Sequence, residues 1–264
     1  LAVDTVRLKP ADSVSDRAGR AELVFVLPAY NEEENLPRLL ADFAVRPELL
    51  ARTSRVLIVD DGSEDATADL VDAYEGDVPA EVIRMGENQG PGAAFRAGFD
   101  AALAECSDDA LIVTLESDTT SDLDALPLMV ERAEAGADLV LASWVMQNVS
   151  RRRRFLSAAA GWVIRHTLGL QATTVSSFFR VYRASVLRAG IEKYGEKLVE
   201  EAGFACKAEL LAKLSALGAT VEEVEVDLDW TRRAGKSKMP VFKTIVGYWR
   251  MIARLRSAKA AAPA

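Results

Sequence analysis

At 264 residues, half of them hydrophobic, the chain is long enough for one large α/β domain or two small ones. Its net charge of −8 argues against general affinity for nucleic acid, and no apolar run approaches the ~18–20 residues that span a bilayer. Cys106 and Cys206 form neither a metal-binding nor a redox motif, and no signal-peptide core is evident, so the expectation is a cytoplasmic protein, soluble or peripheral on the inner membrane face.

In chain order, residues 1–21 lack periodicity and predict a flexible N-terminal arm. Glu22–Leu27 reads as a strand stopped by Pro28, and Asn31–Asn35 opens a helix with Leu36, Leu39, Leu40 and Phe43 on one face. A second strand, Arg55–Val59, ends in Asp60-Asp61-Gly62-Ser63 and leads to a helix over Glu64–Tyr74. A short third strand near Glu81–Met85 is followed by Gly86-Glu87-Asn88-Gln89-Gly90-Pro91-Gly92, a glycine-rich turn into a helix carrying Phe95, Phe99 and Leu103. Ala110–Leu115 is continuously apolar, the pattern of a strand buried on both faces of a parallel sheet. A helix over Asp122–Ala135 and a strand over Ala137–Ser143 follow. This alternation predicts an α/β fold with a doubly wound parallel sheet.

The second half is less regular. Arg151–Leu168 reads as a helix led by four arginines, Thr173–Tyr182 as extended, Gly203–Leu217 as a helix and Val221–Trp230 as a strand. Thr231–Lys238 is a basic loop, and Pro240 opens a last helix to Arg256. In that helix Val241, Phe242, Ile245, Val246, Tyr248, Trp249, Ile252 and Leu255 interleave with Lys243, Arg250, Arg254 and Arg256. The pattern suits an anionic membrane surface, a partner or the protein's own core. The expected organisation is the arm, one domain over 22–239, and a C-terminal helix with a frayed tail over 240–264.

In open α/β sheets ligands bind beyond the carboxyl ends of the strands. The apolar strand ends in Glu116-Ser117-Asp118, two carboxylates one residue apart, which repel unless a proton or cation intervenes; a divalent metal is the natural candidate. The other reading is a solvated loop capping the next helix through Ser121 or Asp122. Four such ends, Pro28–Asn31, Asp60–Ser63, Gly86–Gly92 and Glu116–Asp118, together offer carboxylates, backbone amides and the Tyr30 ring, a set that suits a nucleotide with its diphosphate on a metal. His166, the only histidine, is expected to be structural or on the surface.

PAYNEEENLP (Pro28–Pro37), VLIVDDGSEDAT (Val56–Thr67), NQGPGAAFRAGFDAA (Asn88–Ala102) and GADLVLAS (Gly136–Ser143) resemble the family 2 glycosyltransferases, which have a GT-A fold: a mainly parallel sheet with helices on both faces. RRFLSAAAGWVIRHTLGL (Arg153–Leu170), SSFFRVYR (Ser176–Arg183) and RRAGKSKM (Arg232–Met239) are similar to the polyprenyl-phosphate glycosyltransferases within that family. The resemblance implies a nucleotide pocket lined by Pro28, Tyr30 and Glu32, with Asp60, Asp61, Asn88 and Ser237 as further donor contacts. It implies Mg²⁺ or Mn²⁺ held by Asp118 and Glu116. Catalysis would rest on Asp118 with Arg232 and Lys238 of the basic loop, and acceptor binding on Ser176, Ser177 and Arg180. The implied reaction is inverting, metal-dependent hexosyl transfer from a UDP- or GDP-linked sugar to a polyprenyl phosphate at the cytoplasmic membrane face. A soluble hydroxyl acceptor or glycan is the alternative, and a non-catalytic nucleotide-sugar-binding protein the alternative of another class. The chain differs from the family pattern at Glu116 and Thr120, where members have Asp and Gln. It differs also at Trp144 and Thr174, where Arg and Asp are common, and at Phe178, or Ser177 in a register shifted by one, where Gly is.

Overall fold

The sheet grows outward from β1 (Leu23–Ala29), whose Leu23, Phe25 and Leu27 enter one core while Val24 and Val26 enter another. Strict alternation with every one of these side chains buried requires helices on both faces. The computed structural model describes residues 20–144, 165–169, 172–175, 177–226, 234 and 240–261. The N-terminal arm to residue 19, the four arginines Arg151–Arg154, Ser176, and Arg232, Ser237 and Lys238 lie outside the described residues.

β1 pairs in parallel with β2 (Thr53–Asp60) and with β4 (Leu111–Thr114), and β2 pairs in parallel with β3 (Ala80–Arg84). Beyond β4 the order continues β6 (Arg180–Arg183), β5 (Leu139–Trp144), β7 (Val221–Val226), giving seven strands in the order β3-β2-β1-β4-β6-β5-β7. β6 runs antiparallel to both neighbours, so the sheet is mainly parallel, as the family resemblance implied, with one antiparallel strand that strand alternation did not predict. Of the expected extended stretch Thr173–Tyr182, three described residues, Arg180, Val181 and Tyr182, are paired in it.

One face is covered by α1 (Leu36–Ala44) and α5 (Leu126–Glu134), through Leu36, Leu39, Phe43, Met129 and Val130. The other is covered by α4 (Pro91–Glu105), α6 (Ala184–Tyr194), α7 (Cys206–Ala216) and α8 (Val241–Ala261), through Phe95, Phe99, Leu187, Leu211 and Met251. One-turn α2 (Pro47–Leu50) and short α3 (Thr67–Asp72) complete the first half.

Several boundaries differ from expectation for definite reasons. Pro28 does not stop β1; it pairs opposite Val59. Its carbonyl accepts from Ser117 Oγ at 2.9 Å, so its imino nitrogen faces the same side, where the β4 ladder has already ended at Thr114 and no donor is needed. Residues 31–35 form a loop and α1 starts at Leu36, because Asn31, Glu33 and Asn35 engage groups outside the helix. Asp122 accepts from Asp124 N at 3.0 Å and opens a 3-10 turn (Leu123–Ala125) ahead of α5. The sequence pattern gave no element over 184–194, where α6 packs Ala184, Leu187 and Gly190 into the core.

Candidate active site

The carboxyl ends of β1, β2 and β4 meet, and side-chain hydrogen bonds tie their loops into one body. Asn31 sits at φ +54, left-handed backbone that asparagine tolerates. Its amide donates to Ser63 Oγ (2.9 Å), and its Oδ1 accepts from Glu64 N (2.8 Å). Glu32 N donates to Thr67 Oγ1 at 2.7 Å, and Glu33 Oε2 accepts from Ala66 N at 3.1 Å. Pro28 and Tyr30 are half-buried beside them, and Glu32 is buried.

Asp60 and Asp61 are adjacent, buried carboxylates with different partners. Asp60 Oδ1 accepts from Ser63 N, closing its own turn. Asp61 reaches the glycine-rich loop: Oδ1 accepts from Gln89 N at 2.7 Å and Oδ2 from Gly90 N at 2.8 Å. Burial raises the Asp61 pKa, opposed by these two amides. Asp61 therefore clamps one loop to another, and Asp60 is the better placed to meet a nucleotide. Gly62, at φ +70, lets the loops close; a Cβ there would lie 2.5 Å from the Glu87 carbonyl carbon. Asn88 is exposed at the rim.

At the end of β4, Asp118 is buried and its Oδ1 accepts from both the amide and the hydroxyl of Thr120, at 3.2 and 2.6 Å. Thr119, at φ +64, makes that turn. Glu116 Oε2 accepts from Ser121 Oγ at 3.0 Å. Burial raises the Glu116 pKa; Lys207 lowers it and Asp118 raises it further. Two oxygen donors that repel each other are the chemistry a hard divalent cation takes. Among the described residues no group of three or more His, Cys, Asp or Glu is placed to hold a metal ion. Among the described residues, the carboxylate oxygens that the end of β4 offers a cation are those of Asp118 and Glu116. Of the pair, Asp118 fits better, since Glu116 also answers to Lys207.

The sequence did not single out Lys207. It opens α7, is buried, and places Nζ 3.8 Å from the centroid of the Phe178 ring. Burial pushes its pKa down to about 8 against the opposing pull of Glu116. Only the fold brings a lysine 91 positions away to the metal motif.

Arg180 and Ser177 hold the protein itself together. Arg180 is fully buried and donates from Nη1 to Lys207 O (2.8 Å) and Tyr182 Oη (3.2 Å), and from Nη2 to Val175 O (3.0 Å). Ser177 Oγ bonds the Phe179 backbone. Both are acceptor contacts in the sequence reading; in the fold their described bonds go to the protein itself, around a cavity of about 10 Å³ that also touches Phe95 and Lys207. Thr174, at the family's Asp position, pairs with Ser143 Oγ at 2.8 Å, and its amide donates to Glu223.

A second residue missed in the sequence is Asn35. Its Nδ2 donates to Glu32 Oε2 (2.7 Å) and Ala234 O (3.2 Å), and its Oδ1 accepts from Ala234 N (2.9 Å). It thereby pins the centre of the basic sequence Arg232–Lys238 to the nucleotide loop across 199 residues. The signal was present in Asn31-Glu32-Glu33-Glu34-Asn35, but it resembles a helix start. His166 is exposed, as expected of a surface residue.

Residues 24–194 match the model of the family "Glycosyl transferase family 2". An undecaprenyl-phosphate mannosyltransferase of Micrococcus luteus is 31% identical over 81% of this chain and 86% of its own length. An undecaprenyl-phosphate 4-deoxy-4-formamido-L-arabinose transferase of Pseudomonas fluorescens is 31% identical over 62% of this chain; the chain spans about half of that relative, 47%. Glucosyl-3-phosphoglycerate synthase of Mycobacterium tuberculosis, solved with Mn²⁺, UDP and its product, superposes with a TM-score of 0.64 at 20% identity, over 100% of this chain and 90% of that one. The chain belongs to glycosyl transferase family 2. Its fold is the GT-A fold.

Proposed function

We propose that this chain moves a sugar, with inversion, from a nucleotide-diphospho-sugar to a polyprenyl phosphate at the inner membrane face. The observation that carries the reading is the joining of the β1, β2 and β4 loops into one acidic body, with a buried lysine brought beside its β4 corner. The family relatives named for undecaprenyl-phosphate substrates support the acceptor class.

In this reading Pro28, Tyr30, Glu32 and Asp60 hold the base and ribose, and Asp118 with Glu116 hold Mg²⁺ or Mn²⁺. Bound there, the metal neutralises charge on the leaving diphosphate. Asn35 fixes the basic segment through Ala234, so that Arg232 and Lys238 meet the phosphates. As the sugar–phosphate bond breaks, negative charge grows on the leaving oxygen and cations at fixed positions stabilise it. The attacking phosphate oxygen is already ionised near neutral pH, with a second pKa of about 6, and requires no general base. Attack opposite the leaving group inverts the anomeric carbon. Lys207 supplies a cation on the acceptor side, where Trp144 and Thr174 replace the family's Arg and Asp.

The test is a panel of UDP-, GDP- and dTDP-sugars with Mn²⁺, with and without polyprenyl phosphate, read by mass spectrometry. A glycosylated lipid phosphate formed only when lipid is present is the expected product. Transfer to a soluble hydroxyl compound would instead select the other acceptor class, and donor binding without any product would make the protein a binder.

A further inference from the structure

Helix α8 has two apolar faces, and only one is buried. Met251 and Ile252 enter the core with Tyr248 and Leu255 packed against it, while Gly247 lies against Ala205 and Glu201. On the opposite side Phe242, Ile245, Val246 and Trp249 recur at i, i+3, i+4 and i+7, one continuous stripe. They are 78%, 50%, 38% and 62% exposed, and only three other large apolar side chains among the described residues are exposed, Val45, Leu128 and Leu217, all on other elements. The packing that explains the inner face does not account for the outer one.

Charge identifies what the outer face fits. From Thr231 to Ala264 the sequence carries nine Lys or Arg and no Asp or Glu, in a chain whose total is −8. Lys243 and Arg250 flank the stripe and are exposed. Two copies meeting through this face would bring two cationic segments together, whereas an anionic surface is complementary. Aromatic rings beside Lys and Arg are the composition that settles at a bilayer's headgroup level. No helix among the described residues is long and apolar enough to cross a membrane, so the contact lies in the interface plane.

We infer that the Phe242–Trp249 stripe docks on an anionic lipid bilayer, with Phe242 and Trp249 inserted among the headgroups and Lys243 and Arg250 on the lipid phosphates. The inference deepens the proposed reaction, since a polyprenyl phosphate is reached at such a surface, and rests on that reading for its biological purpose. The stripe is also mechanically tied to the donor site. Arg254, on α8's inner side, pairs with Glu200 (3.2 Å), Glu201 (3.1 Å) and Glu209 (2.7 Å), and Ala202 O accepts from Gly92 N of the glycine-rich loop at 2.7 Å. A docked α8 is therefore braced on the frame that carries the active site.

The experiment is co-sedimentation of the whole chain with phosphatidylcholine vesicles, with and without phosphatidylglycerol, in the absence of donor and acceptor. Binding is expected only with phosphatidylglycerol and to fall with added salt. Phe242→Ser with Trp249→Ser should weaken it about tenfold or more. Lys243→Glu with Arg250→Glu should abolish the preference for anionic lipid. Both double variants should keep the wild-type unfolding midpoint and the wild-type rate on a detergent-dispersed polyprenyl phosphate. Equal binding to neutral vesicles, no binding at all, or wild-type binding by the Ser variant overturns the inference. So does a concentration-dependent dimer in sedimentation that the Ser variant abolishes, which would make the stripe a contact between copies. Vesicle binding without sugar transfer would leave the docking intact and defeat only the proposed reaction.

Discussion

The donor-side loops and the flank formed by α7, α8 and the segment before them handle charge in different ways. On the donor side, Asp60, Asp61, Glu33 and Asp118 accept from backbone amides and hydroxyls. On the flank, charges meet charges: Lys213 pairs with Glu200 (3.0 Å) and Glu209 (2.8 Å), and Arg254 adds its three carboxylates. Glu209 also accepts from the amides of Glu200 and Glu201, at 2.9 and 2.8 Å. Amide-held carboxylates are fixed by the backbone around them, and they gather one sign of charge at the loop ends. A buried ion network instead fixes where a helix sits, and it fails as a unit when one member is lost.

The largest effect should come from breaking that network. Glu209 is fully buried, so Glu209→Ala leaves Lys213, Arg254 and two amides without their shared acceptor. A loss of about 3–5 kcal/mol in urea unfolding is expected. Arg254→Ala should cost less, because its side chain is 30% exposed. If Glu209→Ala unfolds like wild type, the flank is not braced electrostatically and the two regions are alike.

Next in size is the donor side. Asp118→Ala should lower metal-dependent turnover by roughly 10²–10³-fold, the scale set by removing one element of transition-state charge stabilisation. Its unfolding midpoint, read beside turnover, reports what the carboxylate's bonds to the Thr120 turn contribute to the fold. Glu116→Ala should cost less turnover than Asp118→Ala. The reverse order would move the metal onto Glu116 and make Asp118 a turn residue.

A third test concerns the lysine at the boundary between the regions. Burial holds the Lys207 pKa down to about 8, so below that pH the fold carries a charged ammonium at a cost. Between about 8 and the ordinary lysine value the unfolded chain binds a proton that the folded chain has released, and stability therefore rises with pH across that window. Lys207→Met should flatten the rise, a difference on the order of 1–2 kcal/mol after allowance for coupling to Glu116. Urea midpoints on either side of pH 8 measure it, and an unchanged slope in the variant would remove Lys207 as the source.

These contrasts explain what could be read from the sequence. Strand–helix alternation gave a doubly wound α/β sheet and the motif resemblance gave the GT-A fold, while the acidic strand ends marked the loops that the fold brings together, because each is a short-range pattern. Pro28 was misjudged because whether a strand tolerates proline depends on where the neighbouring ladder ends. β6 was missed as an antiparallel insertion because four residues carry no directional signal. Lys207 could not be recognised, since a lysine in an apolar helix acquires meaning only from Glu116 and Phe178, which the fold sets beside it. Arg180 looked like an acceptor contact because its burial and its carbonyl partners, Lys207 and Val175, are tertiary facts.

The smallest effect is expected where the donor loop reaches the basic segment. Asn35→Ala removes the donor to Ala234 O, the acceptor for Ala234 N and the bond to Glu32, each worth about 0.5–1.5 kcal/mol. Part of that loss falls on the folded state as a whole, but the part borne by the basic segment should appear as a KM for the nucleotide-sugar raised about five- to tenfold. Asn35→Asp keeps an acceptor for Ala234 N and loses the donor, so its KM should lie between those of wild type and Asn35→Ala. The metal concentration giving half-maximal rate should not change in either variant, because neither touches Asp118. Asn35→Ala with a wild-type donor KM would mean that the basic segment is positioned without the nucleotide loop. A shifted metal response would mean that the β1 and β4 loops are coupled more tightly than the bond between Ser117 and Pro28 alone implies.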